Sequence, residues 1–266
     1  MSINVQKNGT LEYLVAEGIG VSHAFTTRYG GVSRGAFASL NIAHHRGDSD
    51  ENVAKNLQIL AKALDFSLEK LVLTRQTHSD IVRAVTAQDH CGIDHYEYPE
   101  CDALITATSG VALMVFTADC TPILLHDPVT GAVGAIHAGW RGTAADITGK
   151  TVRAMMAHYG TKPENIRAAI GPNIGGCCFE TDADVPRAMI AALGEKAEKH
   201  IRPENEKYYV NLKAINAEFL RRAGVDKIEI SDACTMCQHQ RFWSHRITGG
   251  NRGSQGAIIV CKGVSL

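Results

Sequence analysis

Two side chains able to hold a metal or attack an electrophile share one stretch of the chain. Cys120 and His137 both lie in LMVFTADCTPILLHDPVTGAVGAIHAGWRGT, residues 113–143. The stretch reads as strand, break, strand, turn, strand and a Gly-flanked corner into a helix. Cys120 follows the first apolar run, and His137 ends the third, just before Gly139, Trp140, Arg141 and Gly142. Both belong at strand ends, where loops build a site on a rigid frame. Asp119 and Arg141 cluster charge there. A Cys and a His so placed suit a metal, or a thiolate nucleophile with a His base. His78, in the tight break of TRQT-H-SD-IVR, is the third candidate. A Cys–His–His set with a fourth position open is a catalytic zinc pattern, able to activate water near neutral pH. The spacing is not local, so three unrelated residues, one of them a buried thiol, are the competing reading.

Other motifs are weaker. Cys234-Thr-Met-Cys237 is a CxxC, a pattern that binds zinc or does redox chemistry, with His239 and His245 nearby, but no second CxxC exists and the flanks are not those of a redox helix. Packing or loop cysteines are expected there. Cys177-Cys178, in the Gly-rich corner PNIGGCCFE, reads as buried rather than catalytic. Cys91 and Cys101 flank a polar loop, residues 87–101, and are expected to be reduced. Arginines stand in Gly-rich loops at Arg28, Arg34, Arg75, Arg141 and Arg246. Guanidinium groups and exposed amides suit phosphate, yet none of these loops is a Walker or dinucleotide motif. Surface charge is the plainer reading of any one of them.

The elements that must position these residues follow from periodicity. Val53, Leu57, Leu60 and Leu64 predict a helix over 50–65, with Asp48 and Glu51 as a capping box. Strands are predicted at 71–77, 81–86, 167–171, 207–212, 227–231, 241–246 and 256–261. Two short apolar runs lie within 12–26. Residues 103–106 and 111–118 are predicted to pair as a hairpin. Helices are predicted at 144–159, 182–193 and 213–223, with Gly160 and Gly224 closing the first and last. Residues 27–48, rich in Gly, Ser, Arg and His, form a long functional loop. About eleven strands and four or five helices in irregular order imply one α+β domain, residues 1–266, with mixed sheets. The 266 residues carry a net charge of −1, which argues against a broad nucleic-acid surface. No apolar run nears the ~18 residues of a membrane span. Eight cysteines in a chain with no secretory signature point to reduced thiols and a cytoplasmic location.

Seven blocks, TRYGGVSRGAFASLN, TRQTHS, DALIT, TADCTPILLHDP, AIHAGWRGT, GPNIGGCCFE and SHR, stand in order over roughly residues 20–260. In this the chain resembles the bacterial laccase-domain family. The resemblance implies mixed sheets layered against helices, related to the catalytic domain of cytotoxic necrotizing factor toxins. It implies a metal site of His78, Cys120 and His137. It also implies phosphorolysis of purine nucleosides (adenosine, inosine, guanosine, methylthioadenosine) together with deamination of adenosine, or a laccase-like oxidation of phenols. Zinc suits the first activity and copper the second. A multicopper centre needs about ten His, many as H-x-H; the twelve here include no such pair. For phosphorolysis, Arg28, Arg75 and Arg246 are the candidate phosphate ligands, Asn41 a ribose or base ligand, and Asp119 a group that orients a ligand or carries a proton. A toxin-like fold allows a third reading, a cysteine hydrolase with Cys120 as nucleophile and His137 as base.

Overall fold

A computed structural model describes residues 2–44, 46–89 and 100–263. Its strands are β1 (Ile3–Asn8), β2 (Leu11–Ala16), β3 (His23–Thr26), β4 (Leu71–Val72), β5 (Val82–Ala84), β6 (Ala103–Thr106), β7 (Ala112–Thr117), β8 (Thr121–His126), β9 (Val133–Ala138), β10 (Arg167–Ile170), β11 (Glu180–Thr181), β12 (Ile201–Glu204), β13 (Lys207–Val210), β14 (Lys227–Ile230) and β15 (Gln255–Val260). The helices are α1 (Asp50–Leu64), α2 (Trp140–Ala144), α3 (Ile147–Tyr159), α4 (Asp184–Leu193), α5 (Glu195–Glu198), α6 (Leu212–Arg222) and α7 (His245–Thr248). One mixed six-stranded sheet runs β1-β2-β3-β15-β7-β4, a second β14-β10-β8-β9-β6-β5, and a small third β11-β13-β12.

Side-chain alternation stacks these parts. On β7, Leu113 and Val115 face the same core as Leu124 of β8 and Val133 and Ala135 of β9, so the two large sheets meet face to face there. Their neighbours Ala112 and Met114 point the other way, against Val53, Leu57, Leu60 and Leu64 of α1. On the far sheet, Ile123, Leu125 and Ile136 turn outwards to Val152 and Met155 of α3 and Leu220 of α6. The result is a helix, two sheets and a helical layer in sequence, a mixed α+β domain. Each large side chain buried this way contributes roughly 1.5–3 kcal/mol. His137 has the parity of Val133 and Ala135, so at the end of β9 it turns in between the sheets.

Several expectations are corrected. Strands β6 and β7 do not form a hairpin; β6 pairs with β9 and β5, and β7 with β15 and β4. Every residue of β6 is buried, and all but one of β7, so neither shows the polar alternation that would assign a sheet. Residues 241–246 are not a strand: Phe242 and Trp243 are buried in a turn that leads into α7. The strand predicted over 71–77 stops at Val72. Beyond it the Gln76 side chain takes the place of a backbone partner, donating to Phe116 O at 2.7 Å and accepting from Phe116 N at 2.6 Å. The cap of α1 is Ser49, whose hydroxyl accepts from Asn52 N. Asp48 instead accepts from Ser33, Asn41 and Asn52 side chains. The helix predicted at 144–159 begins as α2 and restarts at Asp146, which caps α3 through Gly149 N.

Candidate metal centre and cleft

Three segments bring the sulfur and nitrogen donors together. His78 sits between β4 and β5 with φ of 59°, Cys120 between β7 and β8, and His137 is the penultimate residue of β9. One ligand atom from each lies within 4.8 Å of the other two. The two imidazoles meet edge to face, centroids 5.0 Å apart. Gly139 allows this approach: a Cβ there would stand 2.4 Å from His78 Nδ1 and 3.4 Å from Cys120 Sγ.

Asp102, at the entrance to β6, organises the site. Its carboxylate is fully buried and takes the His137 Nδ1–H at 2.7 Å, which leaves Nε2 for Cys120 or a metal. It also accepts the amides of Thr77, His78 and Ser79 and the Ser79 hydroxyl, so it fixes the loop that carries His78. Burial alone would raise its pKa. The hydrogen bonds from His137 and Ser79 and the His137 charge overcome this and hold it down to about 2. On His137, burial pulls the other way, but the Cys120 and Asp102 charges and their hydrogen bonds push its pKa up to about 9. Burial and the neighbouring His137 charge lower that of His78. A soft cysteine, two imidazoles and a carboxylate behind one of them form a donor set fit for a divalent transition metal. Asp102 was not singled out in the sequence; its only signal was its place at the head of the DALIT block.

The donors line the junction of two cavities of about 300 and 310 Å³. His78, Cys120, Arg46 and Arg252 border both. The first is lined in part by the side chains of Thr74, Gln76 and Ser254. The second has an aromatic wall of Trp140 and Phe179. Arg252 is 9% exposed, spends Nη1 on Gly253 O and Ser254 Oγ, and leaves a buried Nε without a partner. It follows two glycines and an asparagine in TGGNRGS and escaped notice because no loop motif marks it.

Other expected site residues are placed differently. Arg75 borders the first cavity and pairs with Glu100 at 2.7 Å. Arg141 and Arg246 border the second; the Arg246 guanidinium donates to Glu180 O. Arg28 borders neither cavity. It donates to Ala38 O and His239 O and lies 4.0 Å over the Trp243 ring, so it holds the long loop to the turn at 239–243. Arg34 is exposed outside both cavities. Asn41 is fully buried and hydrogen-bonds to Ala43, Asp48 and Ser254 N, which supports the Arg252 loop. Asp119 borders the second cavity, and Thr235 Oγ1, Ser244 Oγ and Arg246 N occupy its oxygens. The carboxylate that touches a donor imidazole is Asp102. The expected neighbourhood of Cys91 and Cys101 falls partly outside the described residues.

Residues 22–262 match the family described as multi-copper polyphenol oxidoreductase laccase. A purine nucleoside phosphorylase of Deinococcus radiodurans is 40% identical over 250 residues, 94% of this chain and 92% of the relative. An adenosine deaminase, RL5, from an unknown prokaryotic organism is 37% identical over 237 residues, 86% of this chain and 90% of the relative. The crystal structure of YlmD from Geobacillus stearothermophilus has a TM-score of 0.91 at 35% identity, covering 97% of this chain and 98% of that one.

Proposed function

The chain belongs to the multi-copper polyphenol oxidoreductase laccase family, and from that premise we propose that it cleaves purine nucleosides with phosphate and deaminates adenosine at the junction of the two cavities. Its relatives include enzymes of the purine nucleoside phosphorylase and adenosine deaminase kind. One observation carries the reading: His78, Cys120 and His137 converge where two cavities, one with an aromatic wall, meet beside a buried arginine.

A zinc ion held by the three donors would supply Lewis acidity at an open fourth position. The rest falls to the chain. Trp140 and Phe179 offer flat apolar faces for a purine. Arg252, with its unpartnered Nε, and Arg46 beside it supply fixed positive charge for phosphate and for the negative charge that moves onto the departing base. Asp102 keeps His137 in the tautomer that presents Nε2. Adenosine, inosine, guanosine and methylthioadenosine share the purine and ribose that such a cleft reads.

Copper is the alternative metal, because two His and a Cys also form the equatorial set of a blue-copper site. Among the described residues no further group of histidines converges for a trinuclear centre. Phenol oxidation would therefore rest on a single copper at these ligands. The test is phosphate-dependent release of adenine from adenosine, with metal content measured on the same preparation. Cys120→Ala removes the one anionic donor, so metal and phosphorolysis should disappear while the circular dichroism stays native. Arg252→Met should raise the KM for phosphate at least tenfold. Wild-type phosphorolysis by a folded, metal-free Cys120→Ala protein would end the reading. A metal-free wild type inactivated by alkylation of Cys120 would favour the cysteine hydrolase.

A further inference from the structure

A second group of metal donors lies outside this cleft. Cys177 and Cys178 stand in the Gly-rich turn after β10, and Cys234 and Cys237 in the turn after β14. Their four sulfurs all lie within 4.8 Å of one another, with Cys177 to Cys237 at 3.7 Å and Cys178 to Cys237 at 3.3 Å. We propose that these four cysteines are a second metal site, a tetrathiolate zinc clasp that is structural rather than catalytic.

Geometry and chemistry support this together. Four sulfurs at ~2.3 Å from a tetrahedral zinc are ~3.8 Å apart, close to the spacing seen. A disulfide needs two sulfurs within bonding distance and would leave the other two thiols without a role. Here one sulfur, Cys237, approaches two others, Cys178 at 3.3 Å and Cys177 at 3.7 Å. Backbone amides reach the buried member: Gly175 N lies 3.2 Å and Cys237 N 3.5 Å from Cys234 Sγ. Such amides stabilise thiolates. The Lys213 ammonium, held by Ser231 O and Ala233 O, borders the same pocket as Cys177 and Cys234 and offsets part of a net negative tetrathiolate. Gly175 leaves room for the turn, since a Cβ there would come within 3.1 Å of Cys177 Sγ. Four thiolates this close repel one another unless a cation lies between them.

The clasp would join two segments that both hold the strand end at Cys120. Ile174 N donates to Asp119 O, Thr235 N to Asn173 O, and Thr235 Oγ1 to Asp119 Oδ1. Phe179, in the wall of the aromatic cavity, follows Cys178 directly. Metal at this site would fix the purine wall without touching substrate.

The test begins with the wild-type protein, purified under reducing conditions without added metal. It should carry two zinc equivalents per chain by elemental analysis. Cys177 and Cys237 are exposed, so they would alkylate at once if free. They should instead resist alkylation until a strong chelator is added. The pair Cys178→Ser with Cys237→Ser should lose one zinc and keep the other, while Cys120→Ala loses only the zinc of the cleft. The two sites are thus read separately, and failure of one reading leaves the other standing. Cobalt added to the chelated Cys120→Ala protein should give thiolate charge-transfer bands, absent after Cys234→Ser. Rapid alkylation of Cys177 and Cys237 in the wild type would overturn the proposal. So would a disulfide among the four, or a metal content unchanged by the paired serine variant.

Discussion

Replacing Asp102 by Asn tests how much the cleft depends on one buried carboxylate. Its two oxygens accept from Thr77 N, His78 N, Ser79 N, Ser79 Oγ and His137 Nδ1 at 2.6 to 3.2 Å. An asparagine oxygen can stand in for Oδ1 and keep His78 and His137. Its NH₂ then faces the amides of Thr77 and Ser79, donor against donor. The Ser79 hydroxyl can turn to accept, but the two amides cannot. Two buried unsatisfied amides cost about 2–6 kcal/mol. Linkage gives an independent scale. A carboxylate held at about 2 in the folded chain against its ordinary 3.8 contributes roughly 2.5 kcal/mol above pH ~4, lost as pH falls towards 2. The two routes describe the same interactions and are not added. We expect a loss of about 2–4 kcal/mol at pH 7, hence a Tm lower by roughly 5–15 °C. With a neutral amide in place of the carboxylate behind it, His137 becomes a weaker ligand, and metal affinity should fall about 10–100-fold. Thermal denaturation and titration against a competing chelator measure the two effects. An Asp102→Asn protein with wild-type Tm and metal affinity would refute the argument. If rate alone fell, at saturating metal and with the fold intact, Asp102 would act on substrate rather than through His137.

Gly139→Ala should leave the fold intact, since its φ of −69° and ψ of 170° suit any residue. Its methyl would strike His78, so metal content and phosphorolysis should both fall by more than tenfold; wild-type metal loading would contradict the contact at 2.4 Å. His126 is 5% exposed, and burial with the Arg167 charge beside it holds its pKa down to about 4. The unfolded chain takes up this proton near 6.5, before the folded one does. Stability should therefore fall as pH drops from about 6.5 to about 4, by up to roughly 3 kcal/mol. His126→Gln should flatten that part of the Tm profile, and an unchanged slope would assign the acid sensitivity elsewhere.

The order β7, β8, β9 and the corner into α2 is legible in the sequence because three apolar runs are punctuated by Gly, Pro and Asp. His78, Cys120 and His137 stand at the ends of such runs, which is why their meeting could be anticipated. Sheet membership of β6 and β7 was not legible, since strands buried on both faces carry no signal of direction. Asp102 was missed because a buried acid reads as an ordinary loop residue until its five donors are seen. Arg28 and Asn41 show the opposite case: polar side chains in a Gly-rich loop look available in a sequence, but the fold gives them carbonyls, amides and a Trp ring as partners. The cysteine quartet was hidden by distance, since Cys177 and Cys178 are separated from Cys234 by more than two helices. The CxxC alone allowed a zinc or redox site, but nothing in the sequence joined it to Cys177 and Cys178. Cys177, read as buried, is exposed, and Cys178 is partly so.

The Gln76 amide that matches the backbone of Phe116 has a consequence for self-association. An outer strand with free N–H and C=O groups is a template on which another chain can extend the sheet. The two residues of β4 cover only the start of β7, at Ala112 and Leu113. Without Gln76, the far half of that rim would lie bare beside the cleft. A side chain seals it where a longer strand would have carried the main chain straight on. The backbone is thus released at Val72 to climb across the end of the sandwich and deliver His78. Gln76→Ala would therefore expose a sticky rim, and concentration-dependent aggregation should appear before any change in secondary structure.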